Sequence, residues 1–277
     1  MIDAKTSLYC IFGNPAKHSL SPALHNAAFA DRGINAAYLA FEPSSIRDAA
    51  AAMRALPIAG ASVTIPYKTD IIPFLDFIDP LAQKIGAVNT VVNRDGTLAG
   101  YNTDGEGACG AIESSVGEIA ARSVLILGTG GSARAIAFTL LDRGANVTIA
   151  GRMGRTQNEL VENLSSHFSG VGTAALSGLD AETVARHDVI VHTTPLGMKP
   201  GDELPIDPAL LSGQAVFDIV YRPHETALLR AAGERGCTKI YGIEMLLRQA
   251  EAQFRLWTGI EPPSEVMRKA VSEFLPK

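Results

Sequence analysis

Five short segments of the chain gather the residue types that bind small polar molecules and react with them. They are Gly13-Asn-Pro-Ala-Lys-His18-Ser19-Leu-Ser21-Pro22-Ala-Leu-His25-Asn26, Ser62-Val-Thr64-Ile-Pro66-Tyr-Lys68, Gly86-Ala-Val-Asn89-Thr90, Asn102-Thr103-Asp104-Gly105 and Gly128-Thr129-Gly130-Gly131-Ser132-Ala133. The hydroxyls and amides of the first four are hydrogen-bond donors and acceptors that interrupt otherwise apolar strand ends. Lys68 adds an ammonium and Asp104 a carboxylate. Taken singly, each segment also fits capping or turn chemistry. Ser19 and Ser21 precede Pro22 and a helical run, so either fits an N-cap, and a lone lysine at a strand end is ordinarily a solvated charge.

The fifth segment has a more specific reading. It follows the apolar run Val124 to Leu127 and heads a helical stretch, so Gly128 permits a tight turn, Gly130 lets the backbone approach a pyrophosphate, and small Ala133 fills the place where helix meets strand. The helix N-terminus then offers N–H groups and partial positive charge to phosphates. About twenty residues on, where an NAD site presents an acid to the ribose, the chain reads Ala150-Gly151-Arg152-Met153-Gly154-Arg155. Two guanidiniums in place of a carboxylate favour a 2'-phosphate, and hence NADP. The competing reading makes Arg152 and Arg155 solvated loop charges.

These segments need elements to hold them. Leu8 to Phe12, Ala37 to Phe41 and Ser62 to Ile65 read as strands, Pro22 to Arg32 and Ile46 to Leu56 as helices. Thr90 to Arg94 and Thr97 to Gly100, joined by Asp95-Gly96, read as a hairpin. A second series of strands lies near Val124 to Leu127, Val147 to Ala150, Val189 to His192 and Val216 to Ile219. The last stretches, Ile243 to Trp257 and Ser264 to Phe274, read as helices that return to the first domain. On the former, Met245, Gln249, Ala252 and Leu256 share an apolar face, and a buried amide there needs polar partners. The expected architecture is α/β with two domains: an N-terminal α/β substrate domain completed by C-terminal helices (1–104 plus 243–277) and an inserted Rossmann NADP-binding domain (105–242).

Bulk properties narrow the classes. At 277 residues and 47% hydrophobic, the chain has material for two cores. Its formal charge of -5, from 29 acidic and 24 basic side chains with no basic run, argues against a nucleic-acid partner. Cys10, Cys109 and Cys237 make neither a disulfide framework nor a metal-ligand spacing, and His18, His25 and His192 fit no zinc signature and are expected in turn or packing roles. No basic leader and no apolar run of ~20 residues is visible, so a cytoplasmic protein without a membrane partner is expected.

In their order along the chain, these motifs resemble the shikimate dehydrogenase family across essentially the whole sequence. The resemblance implies NADP-dependent, reversible reduction of 3-dehydroshikimate to shikimate, a step toward aromatic amino acids, with no metal. It implies that Ser19 and Ser21 hold the substrate carboxylate, that Thr64, Asn89 and Asp104 contact its hydroxyls, and that Lys68 is the catalytic lysine with Asp104 as partner. Tyr221, in Asp218-Ile-Val-Tyr221-Arg-Pro, is similar to a tyrosine near the carboxylate, and Gln249 to a pocket glutamine. Thr193-Thr194-Pro195-Leu-Gly-Met198, Ile219 and Gly242 resemble the family's nicotinamide-side lining. Three positions depart from the family's usual residue: Glu244 for glycine, Gly151 for asparagine and His192 for asparagine. A quinate or aminoshikimate dehydrogenase is the nearest alternative, against which Ser21 argues; a non-catalytic cofactor-binding regulator is the other, against which Lys68 and Asp104 argue. The expected assembly is a monomer or homodimer.

Overall fold

Short runs rich in Val, Ile and Ala alternate with helical segments from the start of the chain, and in the computed structural model, which describes residues 2–274, they pair as βα repeats do. The order is β1 (Ser7–Phe12), α1 (Ser21–Asp31), β2 (Ala36–Phe41), α2 (Ile46–Ala55), β3 (Gly60–Val63), β4 (Phe77–Ile78), α3 (Pro80–Ile85), β5 (Thr90–Arg94) and β6 (Thr97–Tyr101). These strands form one sheet in the order β2-β1-β3-β5-β6-β4. β2, β1 and β3 are parallel, and the β5–β6 hairpin joins antiparallel to β3. Its turn is the expected Asp95-Gly96, both at positive φ (52° and 88°), the conformation that matches strand twist. α2 is capped by Ser45, whose Oγ accepts from the Asp48 N–H at 3.3 Å, and it buries Ile46, Ala49, Ala50 and Met53 against Phe12, Val63, Val91 and Leu98.

The change of direction at β5 decides where polar side chains collect. Because Ser62 near the end of β3 pairs with Thr90 at the start of β5, and Thr90 pairs with Tyr101 at the end of β6, the connections that carry the polar segments open on one edge of the sheet. Among them are the loops after β1, β2, β3 and β6 and the loop before β5.

The second series comprises α4 (Asp104–Val116), β7 (Ser123–Leu127), α5 (Gly131–Asp142), β8 (Asn146–Gly151), α6 (Arg155–Ser165), β9 (Gly172–Ala175), α7 (Ala181–Ala185), β10 (Val189–His192), β11 (Ala215–Asp218), α8 (Ala227–Glu234) and β12 (Thr238–Tyr241). Its sheet is wholly parallel in the order β12-β11-β10-β7-β8-β9. Counted from β7, that is the doubly wound order in which the chain leaves the central strand in opposite directions, opening a crevice between β7 and β10. Val124 to Leu127 are buried throughout, as a central parallel strand requires. α9 (Gly242–Thr258) and α10 (Ser264–Ser272) end the described chain.

The chain divides into Met1–Thr103 with Gln249–Lys277, and Asp104–Arg248. The sequence reading puts the second crossing at 242/243, whereas this division falls inside α9. The early turns of α9 are tied to the second unit: a Cβ on Gly242 would lie 2.5 Å from the Ile219 carbonyl oxygen, and Arg248 donates to Ser114 Oγ on α4 at 2.6 Å. Other differences are local. The strand expected over 62–65 is seated at 60–63, because Pro66 donates no ladder hydrogen bond and constrains the residue before it. β4, β9 and β12 were not expected. On α9, Met245 and Gln249 are buried but Ala252 and Leu256 only partly so; Ala250, Gln253 and Phe254 lie deepest, with Phe254 against Phe29 of α1.

Candidate active site

At the polar edge of the first sheet, close packing begins with Gly13. A Cβ there would meet Thr64 Cγ2 at 2.2 Å, so glycine lets the loop after β1 lie against the loop after β3. The two loops are stitched by Asn14 N–H to Ile65 O and Thr64 N–H to Phe12 O, both 2.9 Å. Glu42, which no motif in the sequence marks, accepts the N–H groups of Ala16 (2.8 Å) and Lys17 (3.0 Å) and so holds the segment leading to Ser19. Those donors keep its carboxyl below the usual carboxylate range.

Ser19 and Ser21 are held as a pair. Ser19 Oγ accepts the Ser21 N–H at 3.2 Å and lies 3.1 Å from Ser21 Oγ. Neither is the N-cap of α1; that position is Leu20, with no side-chain cap, while Ser19 takes up the first N–H of the helix from one residue further back, so both hydroxyls stand at the helix N-terminus. Lys68 is partly buried, and its carbonyl accepts the Val88 N–H at 2.8 Å, fixing it beside the Gly86–Asn89 segment. Asn89 is 2% exposed. Its Oδ1 accepts from Thr103 N–H (2.9 Å) and Thr90 Oγ1 (2.7 Å), while its Nδ2 donates to Thr103 Oγ1 at 2.9 Å. Thr64, Ser19, Ser21, Lys68 and Asn89 therefore share one edge. Gln249 belongs to the same unit, one helical turn before Gln253, which reaches Asn89 and Thr90.

In the second unit, Asp104 opens α4 and is 4% exposed. The next residue must be small, since a Cβ on Gly105 would lie 2.0 Å from Thr139 Oγ1 and 2.7 Å from Ala135 O on α5. Tyr221 is partly buried just beyond β11, and Ile219 and Gly242 meet backbone to backbone as described above.

The turn after β7 has the form the sequence predicts. Gly128 is at φ +126°, and a Cβ on it would strike Thr193 Oγ1 at 2.4 Å. Its N–H donates to Ala150 O at 2.8 Å, and Thr193 donates to Leu127 O from both N–H (2.9 Å) and Oγ1 (2.8 Å). Gly130 is the N-cap of α5, no side chain caps it, and a Cβ there would meet nothing within 4 Å. That open space before Gly131, Ser132 and Ala133 is the shape a pyrophosphate requires. Arg152 and Arg155 are exposed after β8, with Arg155 Nε donating to Glu159 at 2.6 Å, so Arg152 is the less engaged of the two. Gly151 is buried, and a Cβ on it would lie 2.6 Å from Thr129 Cγ2.

His192 does more than the turn or packing role expected of it. Fully buried, it lies 2.9 Å from Asp218 Oδ1 through Nδ1 and 2.5 Å from Thr194 Oγ1 through Nε2, while Thr226 donates to Asp218 Oδ2 at 2.6 Å. This network ties the Thr193–Thr194 segment to the ends of β10 and β11. His25, by contrast, is a packing residue, stacked on Tyr38 at 4.6 Å and set against Trp257 at 5.0 Å. Among the described residues no cluster of acidic, histidine and cysteine side chains is placed to hold a metal, and no helix is long and apolar enough to cross a membrane.

The residues that sequence reasoning left without a role are Tyr38, Ser62, Thr90, Thr103, Gln253 and Glu42. Only Gln253 carried a usable signal, four residues beyond Gln249 and therefore on the same helix face.

Comparison with known proteins bears on the whole chain. The model for the shikimate dehydrogenase substrate binding domain matches residues 11–91, and that for the shikimate 5'-dehydrogenase C-terminal domain matches residues 242–271. A shikimate dehydrogenase (NADP(+)) of Moorella thermoacetica is 44% identical over 98% of this chain and 95% of its own. A crystal structure of a shikimate dehydrogenase in complex with NADP+ superposes with a TM-score of 0.92 at 38% identity, covering 100% of this chain and 98% of that one. The shikimate 5-dehydrogenase of Thermus thermophilus, in complex with NADP(H) and shikimate, superposes with a TM-score of 0.85 at 31% identity, covering 98% of this chain and 100% of that one.

Proposed function

This chain belongs to the shikimate dehydrogenase family, and from that premise we propose that it catalyses the NADP-dependent, reversible reduction of 3-dehydroshikimate to shikimate. The observation that carries the reading is the gathering of Ser19, Ser21, Thr64, Lys68 and Asn89 on one edge of the first sheet. There, hydroxyls at a helix N-terminus suit a carboxylate, and an amide and a hydroxyl suit a polyol ring. In the second unit, the open turn at Gly130 and the guanidinium of Arg152 suit the pyrophosphate and 2'-phosphate of NADP.

Bound NADPH supplies a hydride to the ketone carbon. The protein's part is the proton: the Lys68 ammonium donates to the carbonyl oxygen as negative charge develops on it, and Asp104 holds that ammonium in place. In the oxidising direction the same nitrogen takes the proton back. Ser19 and Ser21 orient the ring by its carboxylate, assisted by Tyr221, while Thr64, Asn89 and Gln249 engage its hydroxyls. Thr193, Ile219 and Gly242 line the nicotinamide side. We also read the protein as cytoplasmic, and as a monomer or homodimer.

The test is to follow NADPH absorbance with 3-dehydroshikimate, to repeat it with NADH, and to assay shikimate and quinate with the oxidised cofactors. Turnover of shikimate with NADP+ is expected. Activity confined to quinate and NAD+ would overturn the assignment.

A further inference from the structure

A chain of buried polar side chains runs through the core of the first unit and ends on the residue assigned to a substrate hydroxyl. Tyr38 donates from Oη to Ser62 Oγ at 2.6 Å, and Ser62 donates to Gln253 Oε1 at 2.8 Å. Gln253 Nε2 donates to Thr90 Oγ1 at 3.0 Å and to the Asn89 carbonyl at 3.2 Å, and Thr90 donates to Asn89 Oδ1 at 2.7 Å. Tyr38 and Thr90 are 0% exposed, Gln253 1% and Ser62 5%. In so dry a place each donor must find an acceptor, so the hydrogen bonds run in one sense. The Gln253 amide can take only one orientation: flipped, its oxygen would face the Asn89 carbonyl and its nitrogen would face the hydrogen of Ser62. That choice sets the Thr90 hydroxyl as donor to Asn89, which fixes the Asn89 oxygen inward, where the Thr103 N–H also meets it.

We propose that Gln253 is a positioning residue for substrate recognition, acting through Thr90 to hold the Asn89 carboxamide so that it meets the substrate hydroxyl with its nitrogen, as a donor. The inference rests on the assignment of Asn89 to a polyhydroxylated ring acid and deepens it: the hydroxyl at Asn89 is read as an acceptor. A glutamine that only filled core space would have no reason to depend on Thr90 or on Asn89.

The experiment uses the full-length chain and steady-state oxidation of shikimate by NADP+, with thermal melting to verify folding. Gln253→Met, close in volume but without the amide, raises KM for shikimate about tenfold, as loss of one oriented hydrogen bond does, and leaves KM for NADP+ unchanged. Thr90→Val gives the same split, and Thr90→Ser, which restores the hydroxyl, restores the KM. In an Asn89→Ala background Gln253→Met changes KM no further, because the group it orients is gone. If Gln253→Met does not fold, the Thr90 pair reads the same relay. An active wild type whose folded Gln253→Met and Thr90→Val variants keep the parental KM, or a Gln253→Met effect of full size in the Asn89→Ala background, overturns the relay alone. A wild type that does not oxidise shikimate overturns the reaction, and the relay with it.

Discussion

Gly130 in the second unit and Asn89 in the first are both assigned to ligand recognition, yet they are built in opposite ways. Gly130 is exposed, carries no side chain and would meet nothing within 4 Å if it had a Cβ. Asn89 is buried and holds its orientation through Thr90 and Thr103, with Gln253 behind them. One site is a shape cut in backbone, needing only the turn and the helix start. The other is an arrangement of side chains, each dependent on the next. A backbone site should respond to single changes locally and independently, whereas a side-chain network should respond jointly.

The largest expected effect falls outside both and serves as the reference. Lys68→Ala lowers kcat by about two to four orders of magnitude, while KM for shikimate stays near the parental value in the same steady-state assay. Unchanged kcat would remove Lys68 from the chemistry. Next comes Gly128→Ala, where positive φ and the clash with Thr193 cost about 1–3 kcal/mol of stability in addition to cofactor binding, read as a lower Tm without ligand. Arg152→Ala weakens NADP+ by about 1.5–3 kcal/mol, roughly tenfold or more in KM, and leaves KM for NAD+ where it was. Gly130→Ala raises the NADPH Kd roughly tenfold, about 1.4 kcal/mol, with Tm unmoved in the absence of cofactor. A fall in that Tm would show that the turn is a packing device as much as a binding one, and would blur the contrast.

The last effect is a slope, absent at neutral pH and growing only as the solution is acidified. Burial drives the His25 imidazole down from 6.5 to about 3, with the nearby Gln253 amide opposing the shift, and neither ring nitrogen finds a well-directed partner among the described residues. Since the folded value lies below the unfolded one, the unfolded chain takes the proton first as pH falls. Stability therefore declines between pH 6.5 and about 3, by up to about 1.4 kcal/mol per unit from this group. Urea melts at pH 7, 5 and 4 measure it, and His25→Phe flattens the decline. An equal slope in both proteins would assign acid sensitivity elsewhere.

The same contrast explains what was legible in the sequence. Gly128, Gly130 and the strand before them are neighbours in the chain, so the cofactor turn is a local pattern. Ser62 and Gln253 are 191 residues apart, and Tyr38 sits inside an apolar strand where a hydroxyl gives no periodic signal. Folding alone brings them together. Strands followed a related rule. β7, β10 and β11 are buried on both faces and read as apolar runs, but β4, β9 and β12, which the sequence does not signal, are all sheet edges; the remaining edge, β2, is legible because Ala36–Phe41 is apolar throughout. Gly172-Thr-Ala-Ala and Thr238-Lys-Ile-Tyr need only partial burial and carry correspondingly mixed residues. The catalytic lysine, the paired serines and Asn89 were legible only through the resemblance to a family, because no spacing rule distinguishes them from turn residues.

The tight meeting of Gly151 with Thr129 ties the histories of two positions together. With a threonine methyl 2.6 Å from where a Cβ would stand, the asparagine that the family resemblance implies at 151 fits only if the residue at 129 gives way. A lineage placing asparagine there must first trim or turn the residue at 129. Introducing Gly151→Asn alone should therefore harm this protein, while pairing it with Thr129→Ala should be tolerated, so the order in which the two changes arise is constrained by a single methyl group.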